Sequence, residues 1–428
     1  MLSVLFSGLA LAQAALAANV NNLGNLAPYH KAPVPEGLNE TLPEDCTVDQ
    51  VMLMGRHGSR WPLSSELGYI VNLTEKLAAS YDYVQNADLP ESMLFLKDGY
   101  TTSLGHDNLT ASGRRQLFNH GVAFKLKYPD LHATTVLAGD QDRVIESAQW
   151  FSMGYFGRDW FTLQDTAFET IAEDEVTISW ITPMDTCANW SYTSFGVAPV
   201  DEWGAVYLPK ITSRLNDLIP GLNLTDDDTH GALYACAYDY AAYEVSPWCD
   251  VFTEDELAQF EYELDLLMTG AFGYNLPDPM GPTIGSLYVN KLIDRFTNAS
   301  GDAVPLYLEF GHDTTIDLAL TALGLAKDAP PLSTTAMPAE RKWRTSNQVP
   351  FAAQMIWEKF SCKSSFEGPQ VRLILNDAPF PLSTCAKSEE DKTYGSCAVD
   401  AFVAANGFST TIAWGDSAWN KTCGASDF

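Results

Sequence analysis

Two histidines in this chain occupy the same local setting, and both settings suit work on an anion. Met54-Gly55-Arg56-His57 and Phe310-Gly311-His312-Asp313 each run from an apolar stretch through a glycine into a histidine. Arg56 and Arg60 flank the first histidine, and Asp313 follows the second. A third polar cluster, Gly139-Asp140-Gln141-Asp142-Arg143, follows another apolar stretch and adds a guanidinium. Arginine forks match phosphate oxygens and keep their charge at any working pH. Phosphoryl transfer asks chiefly for positioning and for stabilisation of charge on the equatorial oxygens. A neutral imidazole can attack phosphorus, and a protonated aspartic acid can hand its proton to the leaving oxygen. Gly58 would let the backbone come close to the oxyanion, and a helix beginning near Asp313 would add a partial positive end. The same histidines and Asp313 could instead ligate a metal, but three guanidiniums would repel a cation. A protein without turnover is also disfavoured, because every charged position of the set is present. The set predicts hydrolysis of phosphomonoesters without a cofactor.

These residues need elements that bring them together. Residues 51–54 read as a buried strand, 109–127 as a helix, 134–138 as a strand and 144–156 as a second helix. The pattern resumes with a strand at 304–310 and a helix at 316–325. Strand–helix alternation predicts an α/β sheet, whose strand carboxyl ends face the ligand crevice. Residues 161–290 differ: they hold 22 acidic residues and only Lys210 and Arg214 as bases. Within them 253–268 forms an amphipathic helix, capped by Thr253 with Glu256 at the capping-box position. The expected organisation is an α/β domain from 19–160 and 291–428, with 161–290 as an inserted, smaller, mainly helical domain. Its acidic runs read as a solvated face, and 19–45 as an extended arm.

Composition bounds the setting. The chain has 428 residues, 46% of them hydrophobic, and a formal charge of −30. Such a surface repels nucleic acid and anionic membranes, so neither is an expected partner. Residues 1–18 form an apolar run closing on Ala15-Leu16-Ala17, an A-x-A-like cleavage site, which predicts a signal peptide. Seven N-x-S/T sequons, at Asn39, Asn72, Asn108, Asn189, Asn223, Asn298 and Asn420, agree with export and glycosylation. Eight cysteines without a C-x-x-C pair predict structural disulfides in an oxidising compartment. Local loops are natural for Cys236 with Cys249 and for Cys385 with Cys397. A secreted phosphatase is the expectation.

The heptapeptide Arg56-His57-Gly58-Ser59-Arg60-Trp61-Pro62 resembles the R-H-G-x-R-x-P signature of the histidine acid phosphatases. His312-Asp313 resembles that family's downstream His-Asp pair, and Leu109-Thr110-x-x-Gly113 and Arg143-Val144-Ile145-x-Ser147-Ala148 resemble further family segments. The resemblance covers most of the chain outside 161–290 and is of the secreted fungal acid phosphatase and phytase type. It implies a mixed sheet flanked by helices beside a smaller helical domain, and no metal. It implies a phosphohistidine on His57, with Asp313 as general acid. Arg56, Arg60, Arg143 and His312 would bind the phosphate. It also implies disulfides Cys46–Cys362 and Cys187–Cys423 besides the two local ones. Ser59 and Trp61 depart from the residues more usual at those positions, which bears on the pocket rim rather than the charged set.

Substrate preference follows from charge. A ring of extra bases is what inositol hexakisphosphate demands electrostatically, and 161–290 hardly has any. Lys97, Arg341, Lys342 and Arg344 would supply them only by folding over the mouth. The expectation is a broad-specificity phosphomonoesterase, with phytase as the alternative main activity. An acidic optimum is expected because Asp313 must carry a proton to donate one.

Overall fold

The computed structural model describes residues 20–163, 165–173 and 179–424. The expected signal segment lies outside them. The strands are β1 (Cys46–Arg56), β2 (Thr135–Gly139), β3 (Ala167–Ile171), β4 (Leu306–Gly311), β5 (Gln354–Cys362), β6 (Gln370–Leu375), β7 (Ala378–Phe380) and β8 (Ser396–Ala398). The helices of ten residues or more are α1 (Ser64–Ala79), α2 (Ala111–Lys127), α3 (Asp142–Phe156), α4 (Ala198–Leu218), α5 (Asp226–Tyr243), α6 (Glu254–Phe272), α7 (Met280–Thr297) and α8 (Asp313–Ala322).

The sheet runs β3-β2-β4-β1-β5-β6-β7, with β8 on β6. β3, β2, β4 and β1 are parallel, whereas β5 to β8 join antiparallel, so the sheet is mixed. Alternate residues of β1 face opposite sides, as a pleated strand requires. Val51 and Leu53 enter a core with Leu117 and Phe124 of α2 and Phe151 of α3. Met52 and Met54 enter another with Tyr288 and Leu292 of α7 and Ile316 of α8. Helices therefore cover both faces, as a central parallel strand needs. The parallel pairing also puts the carboxyl ends of β1, β2 and β4 on one edge, with Arg56 opposite Gly311.

A separate, largely helical core gathers Leu73, Leu77, Tyr207, Leu215, Leu233, Tyr238, Phe260 and Leu264. The expected limits of the inserted region shift in the structure. β3 lies inside 161–290 yet pairs with β2 and extends the sheet. α7 packs its Tyr288, Val289 and Leu292 in the sheet-side core although it begins at Met280. Conversely α1, from the N-terminal part, packs on α5, so closely that a Cβ on Gly231 would lie 2.5 Å from the Tyr69 carbonyl oxygen. The helical side thus draws on other parts of the chain besides the inserted region.

Four disulfides join Cys46–Cys362, Cys187–Cys423, Cys236–Cys249 and Cys385–Cys397. The first staples β1 to β5 where Cys46 and Cys362 are register partners. Among the sequon asparagines, all are exposed except Asn420, which is half-buried. No helix among the described residues is long and apolar enough to cross a membrane.

Candidate active site

The chain leaves the sheet edge at three neighbouring strand ends, and each exit carries part of the charged set. His57 follows β1 directly. Its backbone N–H donates to the Gly311 carbonyl at 3.1 Å and its carbonyl accepts from Ala352 N–H at 2.9 Å. The next turn is held by close backbone contact. A Cβ on Gly58 would lie 2.6 Å from the Gly113 carbonyl oxygen, and one on Gly113 would lie 2.2 Å from that of Ser59. Only glycine at both places lets the β1 loop sit on the first turn of α2. Gly58 therefore serves this packing, where the sequence had pointed to room for an oxyanion. The Gly58 N–H donates to Ser147 Oγ at 3.1 Å, and Ser147 donates to the Arg143 carbonyl at 2.6 Å. The loop after β1 is thereby tied to α3, which carries Arg143.

His57 is buried. Its Nδ1 lies 2.9 Å from the Gly58 carbonyl oxygen. A carbonyl only accepts, so Nδ1 holds the proton and Nε2 keeps the lone pair. Burial, then the charges of Arg143, Arg56, His312 and Arg60, push the imidazole well below its ordinary pKa. It stays neutral in acid. His312 faces it edge-on, with ring centroids 5.6 Å apart.

Arg56 is almost fully enclosed. It donates from Nη1 to the carbonyls of Asn25 and Val349, lies over the Phe351 ring at 4.7 Å, and meets Asp313 Oδ2 at 2.8 Å. Burial brings its pKa down to about 10, still charged throughout the acidic range. Arg60 donates to Tyr238 Oη at 3.1 Å and pairs with Glu66 at 3.3 Å. Arg143 pairs with Asp107 at 2.8 Å. All three guanidiniums line one cavity with His57, His312 and Asp313.

Asp313 is the first residue of α8, after His312 at the N-cap. Its Oδ1 accepts the Thr314 N–H at 3.0 Å and its Oδ2 accepts Asn25 Nδ2 at 2.9 Å. Burial alone would raise this carboxyl, but Arg56, helped by Asn25, His312 and Arg60, brings it below the usual value.

Two neighbours escaped the sequence reading. Asn25 sits in the segment read as an extended arm, yet it touches both Arg56 and Asp313. Glu173 is buried and its Oε2 lies 2.8 Å from His312 Nε2. A Cβ on Gly139 would lie 1.8 Å from Glu173 Oε1, so glycine at the end of β2 makes room for that carboxylate. Glu173 was part of an acidic run read as a solvated face, and the structure corrects this. With His312 held by Glu173 and Asp313 by Arg56, two of the three candidate metal ligands are engaged elsewhere.

The four bases that could have folded over the mouth do not line it. Arg341 is buried against Glu261 and Asp265, and Arg344 pairs with Glu261. Neither these nor Lys97 and Lys342 line the cavity; Glu66, Asp185, Asp201, Asp226 and Asp227 do.

A buried imidazole among three guanidiniums, beside a carboxyl group at a helix start, gathers at the carboxyl edge of a mixed α/β sheet the groups that phosphoryl transfer requires. Residues 47–376 match the model of the histidine phosphatase superfamily (branch 2), and the chain belongs to that family. It is 29% identical to an acid phosphatase of Schizosaccharomyces pombe over 398 residues, covering 89% of this chain and 86% of the relative. It is 31% identical to Phytase A of Aspergillus terreus over 429 residues, with 89% and 86% covered. The crystal structure of the phytase from D. castellii superposes with a TM-score of 0.83 at 27% identity, covering 96% of this chain and 88% of that one. The protein is a phosphatase of the histidine acid phosphatase type, acting on small phosphate esters.

Proposed function

We propose that the chain hydrolyses phosphomonoesters through a phosphohistidine on His57. The observation that carries this is the Gly58 carbonyl on Nδ1, which leaves a neutral, buried Nε2 lone pair in a cavity with three arginines. In the first step Nε2 attacks phosphorus, the P–O ester bond breaks, and the Asp313 carboxyl gives its proton to the departing oxygen. In the second the Asp313 carboxylate takes a proton from water, the water oxygen bonds to phosphorus, and the P–N bond breaks. Arg56, Arg60, Arg143 and His312 hold the phosphoryl oxygens, while Glu173 and Asn25 position His312 and Asp313. Acid quench with labelled substrate, followed by mapping of the modified residue, tests the assignment. Label on His57 is expected, and label elsewhere overturns it.

The substrate reading is a broad-specificity acid phosphatase with modest activity on phytate. Support comes from the cavity lining, whose arginines are confined to the phosphate site while the rest of the lining is rich in carboxylates. A phytase as main activity would be the correct reading if kcat/KM for phytate far exceeded that for small esters. Export, with a signal peptide at 1–18 and glycans on the exposed sequons, is supported by the four disulfides. Secretion into medium with loss of 1–18, read by N-terminal sequencing, tests it.

A further inference from the structure

The catalytic cavity is larger than a phosphate group requires. Its volume is about 640 Å³, the scale of a site for a whole small molecule. The helical side supplies a wall of Tyr69, Asp201, Asp227, His230, Tyr234 and Glu263, and none of these takes part in the transfer described above. The wall is both aromatic and acidic. Tyr234 stacks on His230 at 4.4 Å between ring centroids, and Tyr69 lies 5.0 Å from His230 and 6.0 Å from Tyr234.

His230 is only 7% exposed. Its Nε2 lies 2.7 Å from Glu263 Oε1, and Glu263 Oε2 accepts the Tyr207 hydroxyl at 2.8 Å. Burial alone would lower the imidazolium, but Glu263, then Asp227 and Asp201, raise it instead. In acid the ring is charged, and its Nδ1–H has no hydrogen-bond partner among the described residues. This is a spare donor in the cavity, suited to an ester or hydroxyl oxygen. Asp201 and Asp227 are exposed and have neither hydrogen-bond nor ion-pair partners among the described residues. Together with Glu263 they act on the same Tyr69 hydroxyl, which burial and these three charges raise. Three carboxylates against one imidazolium leave the wall negative.

We propose that this wall selects the leaving group and takes amino-alcohol phosphates, whose ammonium would lie against Asp201, Asp227 and the Tyr69 ring. The inference rests on the reading that the arginines hold the phosphate. A substrate with an anion at one end and a cation at the other matches a cavity charged in the opposite sense. The Tyr69 ring adds cation–π attraction. A leaving group bearing further phosphates meets repulsion instead.

The test compares phosphocholine with 3,3-dimethylbutyl phosphate, in which carbon replaces the ammonium nitrogen and the shape is kept. The wild type is expected to favour phosphocholine about tenfold in kcat/KM at low salt, about 1.4 kcal/mol. The preference should reside in KM and shrink as salt screens it. Asp201→Asn with Asp227→Asn, both at exposed positions, should bring the ratio toward one. A wild-type ratio of one, a ratio untouched by the double substitution, or refusal of both esters by an enzyme that hydrolyses p-nitrophenyl phosphate overturns the proposal. Turnover that survives His57→Ala overturns the phosphate-site reading instead, so the two failures are distinct.

Discussion

The two walls of the cavity are built by different means. On the sheet side Arg56, His57, His312 and Asp313 stand within two residues of the ends of parallel strands, held by ladder hydrogen bonds and by Gly58 against Gly113. On the helical side Tyr69, Asp201, Asp227, His230 and Glu263 come from faces of four helices that meet only through tertiary packing. The first wall concentrates positive charge in buried, hydrogen-bonded positions. The second presents carboxylates, two of them open to solvent. Buried charges in fixed geometry suit stabilisation of a transition state, whereas exposed charges steer and select. On this contrast, substitutions on the sheet side should lower kcat, and those on the helical side should move KM.

The largest effect that sharpens the comparison is at His57. Replacement by alanine removes the proposed nucleophile and should cost about 10⁴-fold or more in kcat, the scale of losing a covalent catalyst. Circular dichroism should show an intact fold. Retention of even a tenth of the wild-type rate would break the assignment of chemistry to the sheet edge.

Asp313→Asn should cost about 10²–10⁴-fold, the usual range for a general acid. The loss should be smaller with p-nitrophenyl phosphate than with an alkyl phosphate, because a good leaving group needs less of the proton. The pH profile carries the same signature. Asp313 lies below the ordinary carboxylate value in the free enzyme, so the donor form is lost as pH rises. His57 also lies well below its ordinary value, so the nucleophile survives into acid. Activity should therefore be acidic. Bound phosphate dianion competes for Arg56 and restores the Asp313 proton, so the alkaline limb of kcat should lie at higher pH than that of kcat/KM. Asp313→Asn should erase the alkaline limb, and its persistence would show another group sets it.

Glu173→Gln tests whether the sheet-side wall depends on the carboxylate that holds His312. A hydrogen bond to a charged group is worth about 1.5–3 kcal/mol, so kcat/KM should fall about ten- to hundredfold. A structural role alone would lower thermal stability without altering the pH profile. A positioning role predicts that the profile moves with the rate.

The sheet-side wall was legible because its residues are local to strand ends. An apolar run, a glycine and a histidine are adjacent in the chain, and three such exits share an edge once the strands are parallel. The helical wall was not legible. Glu263, like Glu173 on the sheet side, looks like any other acid in an acidic stretch, and only packing reveals that both are buried against histidines. The same holds for a base: only packing reveals that Glu261 and Asp265 enclose Arg341. β7 and β8 have three residues each, too few to establish a period. β3 was hidden because the acidic composition of 161–290 outweighed a five-residue stretch, Ala167–Ile171.

The smallest expected effect is also the most direct probe of the helical wall. Asp227→Lys reverses one exposed charge at the first turn of α5, beside neighbours that make no ion pair with it. Exposed charge interactions are worth about 0.2–1 kcal/mol, so kcat/KM for phytate relative to p-nitrophenyl phosphate should rise by about fivefold at most. The gain should be found in KM and vanish in high salt, because a solvent-exposed charge acts through screened attraction. A gain confined to kcat, or one indifferent to salt, would mean that the acidic wall shapes the transition state rather than the choice of substrate. In that case the division of labour between the two walls would fail.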